Sequence, residues 1–554
     1  MEELSRAGIC SPIAAQLLLN RGIATPTDAD RFLRPALDHL PDPFLLPDAE
    51  RAAERLKQAL NRKEKVAIHG DYDGDGVTSA ALWMRLLQAL GGDVTVHVPH
   101  RKRDGYDMRS KFVAQAKADG ATLIVTADCG IQRCDEIDEA RETGIDVIIT
   151  DHHEPGAELP KAAAVVNPHR KDSHYPFPWL AGVGVAFRMG EALVRHLGQP
   201  VDKYRRAYLD LAAIGTVTDI MPLHGENRVI AQFGLAQLTC TRKAGLQALI
   251  HSAGLGGRPL SSRDIGFGIG PRLNAIGRVD DAKIALDLLL TRDSIEAQSL
   301  ASRLEQANTD RRQEQDRIFL EALEQVGRQG LADRACLLVD GTGWHSGVIG
   351  IVASKLVDRF NRPTIVIARD DETGLGKGSA RSIPAFDLFA AISACGEHLL
   401  EFGGHSHAAG LSMKLENLIG FSDAMNGIAG SKLTEEDLMP TIECDMEVDP
   451  ADVTLELLHE LESFEPWGSG NEEAVFVSRG LTILEAKRIG KEQQHLKLLV
   501  KSTGIEATEA LIWREGERAD QFAPGSVVDL CYKPEINRFN GRETVQFNVI
   551  DFSE

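Results

Sequence analysis

The sequence predicts a multidomain α/β protein: a parallel-sheet domain, a long connecting helix, a second α/β domain and a C-terminal β-barrel of the OB-fold type. Three observations carry this. Short apolar runs alternate with helix-length gaps from Val66 onward, residues 293–326 contain neither Gly nor Pro, and the C-terminal stretch falls into two-residue periodicity. At 554 residues the chain also exceeds what one hydrophobic core sustains.

Residues 1–45 read as an N-terminal helical segment broken at Pro26, Pro35, Pro41 and Pro43. Residues 46–225 form the first α/β domain, with strands at Val66–Ile68, Val94–Val98, Leu123–Thr126, Val147–Thr150 and Ala163–Val166. The gaps between them allow crossovers, and Val77–Leu90 is a helix closed by Gly91-Gly92, so the sheet is parallel and doubly wound. Residues 226–330 form a helical connector; its Gly- and Pro-free run is a single helix on the order of 50 Å long, read as a spacer between two lobes. Residues 331–433 hold the second α/β unit: strand Cys336–Val339, helix Gly347–Val357, strand Thr364–Ala368, then glycine-rich loops at Gly374–Ser382 and Phe402–Gly410. An acidic linker, 434–465, precedes the barrel at 466–554, which has period-2 runs at His495–Val500 and Thr544–Val549 and an Asn540-Gly541 hairpin turn.

Composition narrows the class. No apolar run nears the roughly 18 residues that span a bilayer, and Met1 to Leu19 lacks a secretory pattern. The eight cysteines contain no C-x-x-C pair, which excludes a zinc ribbon and fits a reducing, cytoplasmic setting. A net charge of −21 speaks against a nucleic-acid partner on its own. Carboxylates that hold cations are counted in that total, however, and positive charge is concentrated locally at Arg101-Lys102-Arg103.

The densest chemical signal is His69-Gly-Asp71-Tyr-Asp73-Gly-Asp75-Gly76. Its spacing opens like a calcium loop, but position twelve, a bidentate Glu in such loops, is Leu82, and the segment follows a strand. Two further strands run into acids or imidazoles, at Asp128 and at Asp151-His152-His153, and Asp219 follows the apolar helical stretch Tyr208–Val217. A single Asp after a strand is ordinarily a cap or turn former. Several at neighbouring strand ends share the edge where open parallel sheets bind ligands, and so many carboxylates need cations to offset their repulsion. Mixed His/Asp ligation suits Mn²⁺ or Mg²⁺. A pair of such ions serves phosphoryl displacement, and an aminopeptidase-like dinuclear centre fits the same ligands.

These segments, with Thr126-Ala-Asp128-Cys-Gly130 and Gly215-Thr-Val-x-Asp219, resemble the four motifs of the DHH phosphoesterase superfamily. Gly270-Pro-Arg272-Leu-Asn274-Ala-x-Gly277-Arg278, Gly343-Trp-His345-Ser-Gly347, Lys377-Gly-Ser379-x-Arg381-Ser382, Phe402-Gly-Gly-His405 and Pro466-Trp-Gly468-x-Gly470-Asn471 are similar to its single-strand-specific DNA exonuclease branch. The resemblance covers nearly the whole chain, with departures at Gly74, Ala380 and His407. It implies a DHH catalytic domain, a DHH-associated domain and an OB-fold. It implies one cation held by His69, Asp71 and Asp128 and a second by Asp73, Asp128, His152 and Asp219, with His153 facing the scissile phosphate and Asp75 and Asp151 orienting ligands. It further implies 5′-to-3′ release of mononucleotides from single-stranded DNA in repair and recombination. Implied partners are a single-strand-binding protein and a helicase, with the enzyme a monomer.

The small residues, hydroxyls and cations of Gly376–Ser382 suit an anion cradle, so Ser379 and Arg381, with Arg101, Arg272, Arg278 and His405, are expected to bind the 5′ end and nearby phosphates. Trp513, Tyr532 and Phe539 are candidate aromatics for single-strand stacking on the barrel. The rival readings are a pyrophosphatase or short-oligonucleotide phosphodiesterase, which needs no barrel, and a non-catalytic DNA-binding replication scaffold, which has no need of the ligands.

Overall fold

The computed structural model describes residue 4 and residues 8–101, 103–105, 107–502 and 507–553; Lys102 of the basic run lies outside the described residues. The chain divides into two compact units. The first comprises Met1–Leu273, Ala282–Ala301 and Glu443–Glu554, and the second Asn274–Asp281 and Ser302–Ile442.

In the first unit, β1 (Lys65–Gly70), β2 (Asp93–His97), β3 (Ala121–Ala127), β4 (Asp146–Thr150) and β5 (Ala164–Val166) form an all-parallel sheet of order β2-β1-β3-β4-β5. The chain moves from β1 to one side and then crosses back to β3, so the β1/β3 crevice is the topological switch point, where doubly wound folds bind ligands. Continuous apolar runs such as Leu123–Val125 are fully buried, as helices on both faces require. Three helices serve the site: α1 (Gly74–Ala89), α2 (Gly182–His196) and α3 (Val201–Thr218).

A 36-residue helix, α4 (Ser294–Gln329), runs on into the second unit, as its lack of Gly and Pro in residues 293–326 predicts. There β6 (Leu337–Thr342), β7 (Thr364–Asp370), β8 (Leu375–Arg381), β9 (Leu399–His405) and β10 (Ala408–Lys414) form a mixed sheet of order β6-β7-β8-β10-β9. The helix α5 (Ile349–Phe360) joins β6 to β7. Both segments expected as glycine-rich loops are therefore strands. Three of their glycines, Gly376, Gly378 and Gly404, sit where packing is close: a Cβ on Gly378 would lie 2.6 Å from the Ile367 side chain of the neighbouring strand, whereas Gly374 takes a positive φ (69°) in the turn before β8.

The barrel belongs to the first unit. It is built from β11 (Met446–Glu447), β12 (Phe476–Ile489), β13 (His495–Lys501), β14 (Thr508–Ile512), β15 (Val527–Phe539) and β16 (Arg542–Ser553). Pairing of β12 with β15 closes five strands in the order β12-β13-β14-β16-β15, and Asn540 and Gly541 both take positive φ at the last hairpin. Of the expected linker 434–465, the part from Met446 onward is packed: Val448, Val453, Leu457, Leu458, Leu461 and Phe464 enter the barrel's core. The Pro466-Trp-Gly motif has a structural role. Asn471 Nδ2 donates to the Phe464 and Pro466 carbonyls, and the buried Arg228 guanidinium donates to the carbonyls of Phe32, Ser463, Phe464 and Glu465.

Candidate metal centre

The centre is assembled from the ends of β1, β3 and β4 and from both ends of the helical layer. After β1, Asp71 is buried and Asp73 caps α1, its Oδ1 accepting from the backbone N–H of Asp75 (3.1 Å) and Gly76 (2.9 Å). After β3, Asp128 adopts a left-handed backbone (φ 67°), fixed by its N–H donating to the Thr150 carbonyl at 2.9 Å. After β4 come Asp151, His152 and His153. Asp219 closes α3 at its C-terminal cap.

These residues converge into three overlapping donor groups: Asp71/Asp73/Asp128, Asp75/His152/Asp219 and Asp128/His152/His153, the ligand atoms of each lying within 4.8 Å of one another. His152 Nε2 is 3.2 Å from Asp128 Oδ1, 3.6 Å from Asp219 Oδ2 and 4.0 Å from Asp75 Oδ2. Asp128 belongs to two groups, which suits a bridging ligand. His69 falls in none of the three; its buried ring packs 4.4 Å from the Phe112 ring and 5.3 Å from that of His97.

Two acids have their oxygens taken by protein donors. Asp75 accepts from the N–H groups of Gly182 (2.7 Å) and Val183 (2.8 Å) at the start of α2. Asp151 accepts from the backbone of Ile131, His152 and His153, and its Oδ1 lies 2.8 Å from His153 Nδ1. Asp75 also stands within one donor group, with His152 and Asp219. Gly182 has a second duty: a Cβ there would lie 2.3 Å from Asp128 Oδ1. Neither N–H donor was expected from the sequence, where the signal is the small-residue run Leu180-Ala-Gly-Val-Gly184 that opens α2 without a capping side chain.

The electrostatics are those of a cation site. Burial, followed by the neighbouring carboxylates, pushes Asp128 and Asp71 well above the usual range, Asp219 up to about 9 and Asp75 to about 7. Burial takes His152 down to about 4 and His69 to about 3, leaving both neutral and able to ligate. For His153 burial works downward, but Asp151 and the acids beyond outweigh it and carry the ring up to about 9. Asp71 Oδ1 and Asp128 Oδ1 are buried with no hydrogen-bond partner among the described residues. Buried acceptors left unmet, in a field that disfavours their own ionisation, fit divalent cations.

The expected phosphate contacts are placed as follows. The Arg101 guanidinium stands over the Tyr72 ring at 5.4 Å, beside the β1 loop. Arg272 is buried and donates to the Gly268 carbonyl at 2.6 Å. In the second unit, Arg278 donates to the Gly347 carbonyl (3.1 Å) ahead of α5, and a Cβ on Gly350 would approach Ser379 Oγ at 2.9 Å and Arg381 Nη2 at 3.2 Å. Arg278, Ser379 and Arg381 thus surround the start of α5. Burial lowers the pKa of Arg381, which donates to Ser379 Oγ (3.2 Å) and the Ala380 carbonyl (2.8 Å). His405 is exposed at the end of β9. On the barrel, Trp513 and Phe539 are exposed, whereas Tyr532 is a core residue bonded to Ser478 Oγ at 2.9 Å.

Three family profiles match the chain: the DHH family N-terminal domain over residues 65–216, the DHHA1 domain over 333–431 and the RecJ OB domain over 444–551. The single-stranded-DNA-specific exonuclease RecJ of Bacillus subtilis (strain 168) is 40% identical over 541 residues, covering 98% of this chain and 68% of that protein. RecJ of Dickeya dadantii (strain 3937) is 35% identical over 559 residues, covering 96% and 94%. Among solved structures, RecJ from Thermus thermophilus in complex with Mn²⁺ is similar with a TM-score of 0.84 at 31% identity, covering 100% of this chain and 77% of that one. A Mg²⁺ complex from the same organism has a TM-score of 0.79 at 29% identity.

Proposed function

Because the chain belongs to the RecJ family of single-stranded-DNA-specific exonucleases, we propose that it removes mononucleotides from the 5′ end of single-stranded DNA by metal-dependent phosphodiester hydrolysis. The observation that carries this reading is the set of buried, unmet acceptors at the β1/β3 switch point. Asp71 and Asp128, with His69, would hold one Mn²⁺ or Mg²⁺, and Asp73, Asp128, His152 and Asp219 the other. Bound there, the pair supplies activation of the attacking water and charge stabilisation of an in-line displacement.

The chain's own groups do the rest. Gly182 and Val183 fix the Asp75 carboxylate against the helix layer. Asp151 grips His153 through Nδ1 and so directs Nε2 toward a phosphate oxygen. A ring carried to about 9 is protonated at neutral pH and can offset charge on the phosphate or deliver a proton to the leaving oxygen; bound cations would lessen the acidic field and lower it. Within the second unit Arg278, Ser379 and Arg381 form an anion cradle suited to the 5′-phosphate, and Arg101, Arg272 and His405 are each candidates for other backbone phosphates. The exposed Trp513 and Phe539 suit base stacking on the barrel. Roles in repair and recombination, a cytoplasmic location, a monomeric state and partnership with a single-strand-binding protein and a helicase belong to the same reading. Among the described residues, no helix is long and apolar enough to cross a membrane.

The test is a Mn²⁺-dependent time course on single strands labelled at either end, beside blunt duplex, dinucleotides and pyrophosphate. Loss of 5′ label as mononucleotide from single strands is expected; release from the 3′ end first, or turnover of the small substrates alone, refutes the reading. Arg381→Ala should weaken the preference for 5′-phosphorylated ends while leaving Mn²⁺ binding intact.

A further inference from the structure

The segment that leads into α2, and so to the Gly182 N–H that holds Asp75, carries an apolar feature that phosphate chemistry does not use. Trp179 precedes α2, and 47% of its surface is exposed although it is a large hydrophobe. Its ring is braced on two sides, 5.5 Å from Phe177 and 5.3 Å from His224, at interplanar angles of 72° and 69°. Phe177 and His224 also meet each other edge-on at 5.4 Å. This three-ring cluster holds the indole firmly without covering it.

Three links tie Trp179 to the donor groups. The carbonyl of Leu180, the next residue, interacts with the His152 ring. Three positions on, the Gly182 N–H holds Asp75. Asn227 Nδ2 clamps the Trp179 carbonyl (2.5 Å) and the Pro222 carbonyl (3.1 Å), joining this segment to the loop after Asp219. In that loop Ile220, directly following Asp219, has a left-handed backbone (φ 57°) and is 74% exposed. Two open apolar side chains therefore lie on the two segments that carry the Gly182 N–H and Asp219.

Inorganic pyrophosphate or a bare phosphate has nothing to place on such a rim. A nucleotide has: its flat base can stack on an indole while its phosphate faces the cations, and face-on stacking requires a base free of its duplex neighbours. Resting on the exonuclease reading above, we propose that Trp179, on a segment that Asn227 ties to the loop of Ile220, forms a nucleobase subsite that seats a nucleotide next to the scissile phosphate. Trp179 is a positioning residue in this scheme. It sets affinity and register for an unpaired strand and takes no part in bond breaking.

The experiment compares the wild type with W179A, W179L and W179F on a single strand and on the same strand carrying abasic sugars at its 5′-terminal positions. One stacked base is worth ~1–3 kcal/mol, from about 5-fold to about 150-fold. W179A and W179L should raise KM on the normal strand by about 10-fold or more with a smaller change in kcat, and W179F should recover most of it. On the abasic strand the four proteins should converge, and the Mn²⁺-binding midpoint should be common to all. Equal losses on both strands, or an unchanged KM for W179A and W179L alike, would overturn the subsite. A W179A protein that no longer bound Mn²⁺ would leave W179L and W179F to decide the matter by the same comparison. If the wild type degrades neither strand, the exonuclease reading itself fails, a result distinct from failure of the subsite.

Discussion

Glu191 and Asp128 are both buried carboxylates of the first unit, and their surroundings are opposites. Glu191 receives four charge-assisted hydrogen bonds, from Arg188 (2.6 Å), Arg195 (2.6 Å) and both Nε and Nη2 of Arg205 (3.1 and 2.8 Å). Burial raises its pKa, but these guanidiniums outweigh that and hold it below the usual range. Asp128 is surrounded instead by Asp75, Asp73, Asp219 and Asp71, and its Oδ1 is unmet. Where the chain supplies its own countercharge, a buried acid secures the fold. Where it withholds one, the acid is kept for something from outside.

That contrast can be broken most forcefully at Asp128. In D128N the nuclease rate should fall further than the roughly 10–100-fold that losing an outer partner of a metal ligand costs. In chelator the same variant should melt about 2–4 °C higher than the wild type, since it relieves repulsion, and a lower melting point would contradict the electrostatic picture. Next in size is G182A, where the added Cβ displaces Asp128; Mn²⁺ affinity by calorimetry should drop by about 10–100-fold. E191Q should behave in the opposite sense to D128N, losing about 3–5 kcal/mol in urea unfolding because three guanidiniums are left short of charge.

The smallest effect is on pH dependence. Without metal, Asp219 at about 9 and Asp75 at about 7 lie above the ordinary 3.8, and His153 at about 9 lies above 6.5. Each binds more protons folded than unfolded, while the depressed His69 and His152 oppose this only below about 6.5, so the metal-free protein should lose stability as pH climbs from about 6.5 to about 9. Cations displace those protons, so melting scans with saturating Mn²⁺ should flatten the decline and the metal's increment should grow with pH. Parallel curves with and without Mn²⁺ would mean that these acids do not bind it.

Much of this was legible beforehand, for identifiable reasons. Strands such as Val147–Thr150 are buried on both faces and so read as continuous apolar runs, and the acids that follow them stand out. The strands Leu375–Arg381 and Leu399–His405 were hidden because glycine and small polar residues erase the alternation that marks a strand, although Gly376, Gly378 and Gly404 are close-packed there. Tyr532 and Trp513 look alike in sequence, and only barrel register puts one inside and the other out. The holding of Asp75 was invisible because its partners are backbone N–H groups, which leave no residue signature.

That contact also bears on how the protein folds. Asp75 and Gly182 are 107 positions apart, so the centre does not exist as a local motif that cations could find in a nascent chain. It closes only after β1, β3 and β4 have paired and α2 has docked, a long-range event and thus a slow one. Ion capture then comes last, and Mn²⁺ added to a refolding mixture should lock the finished domain against reopening without hastening its formation.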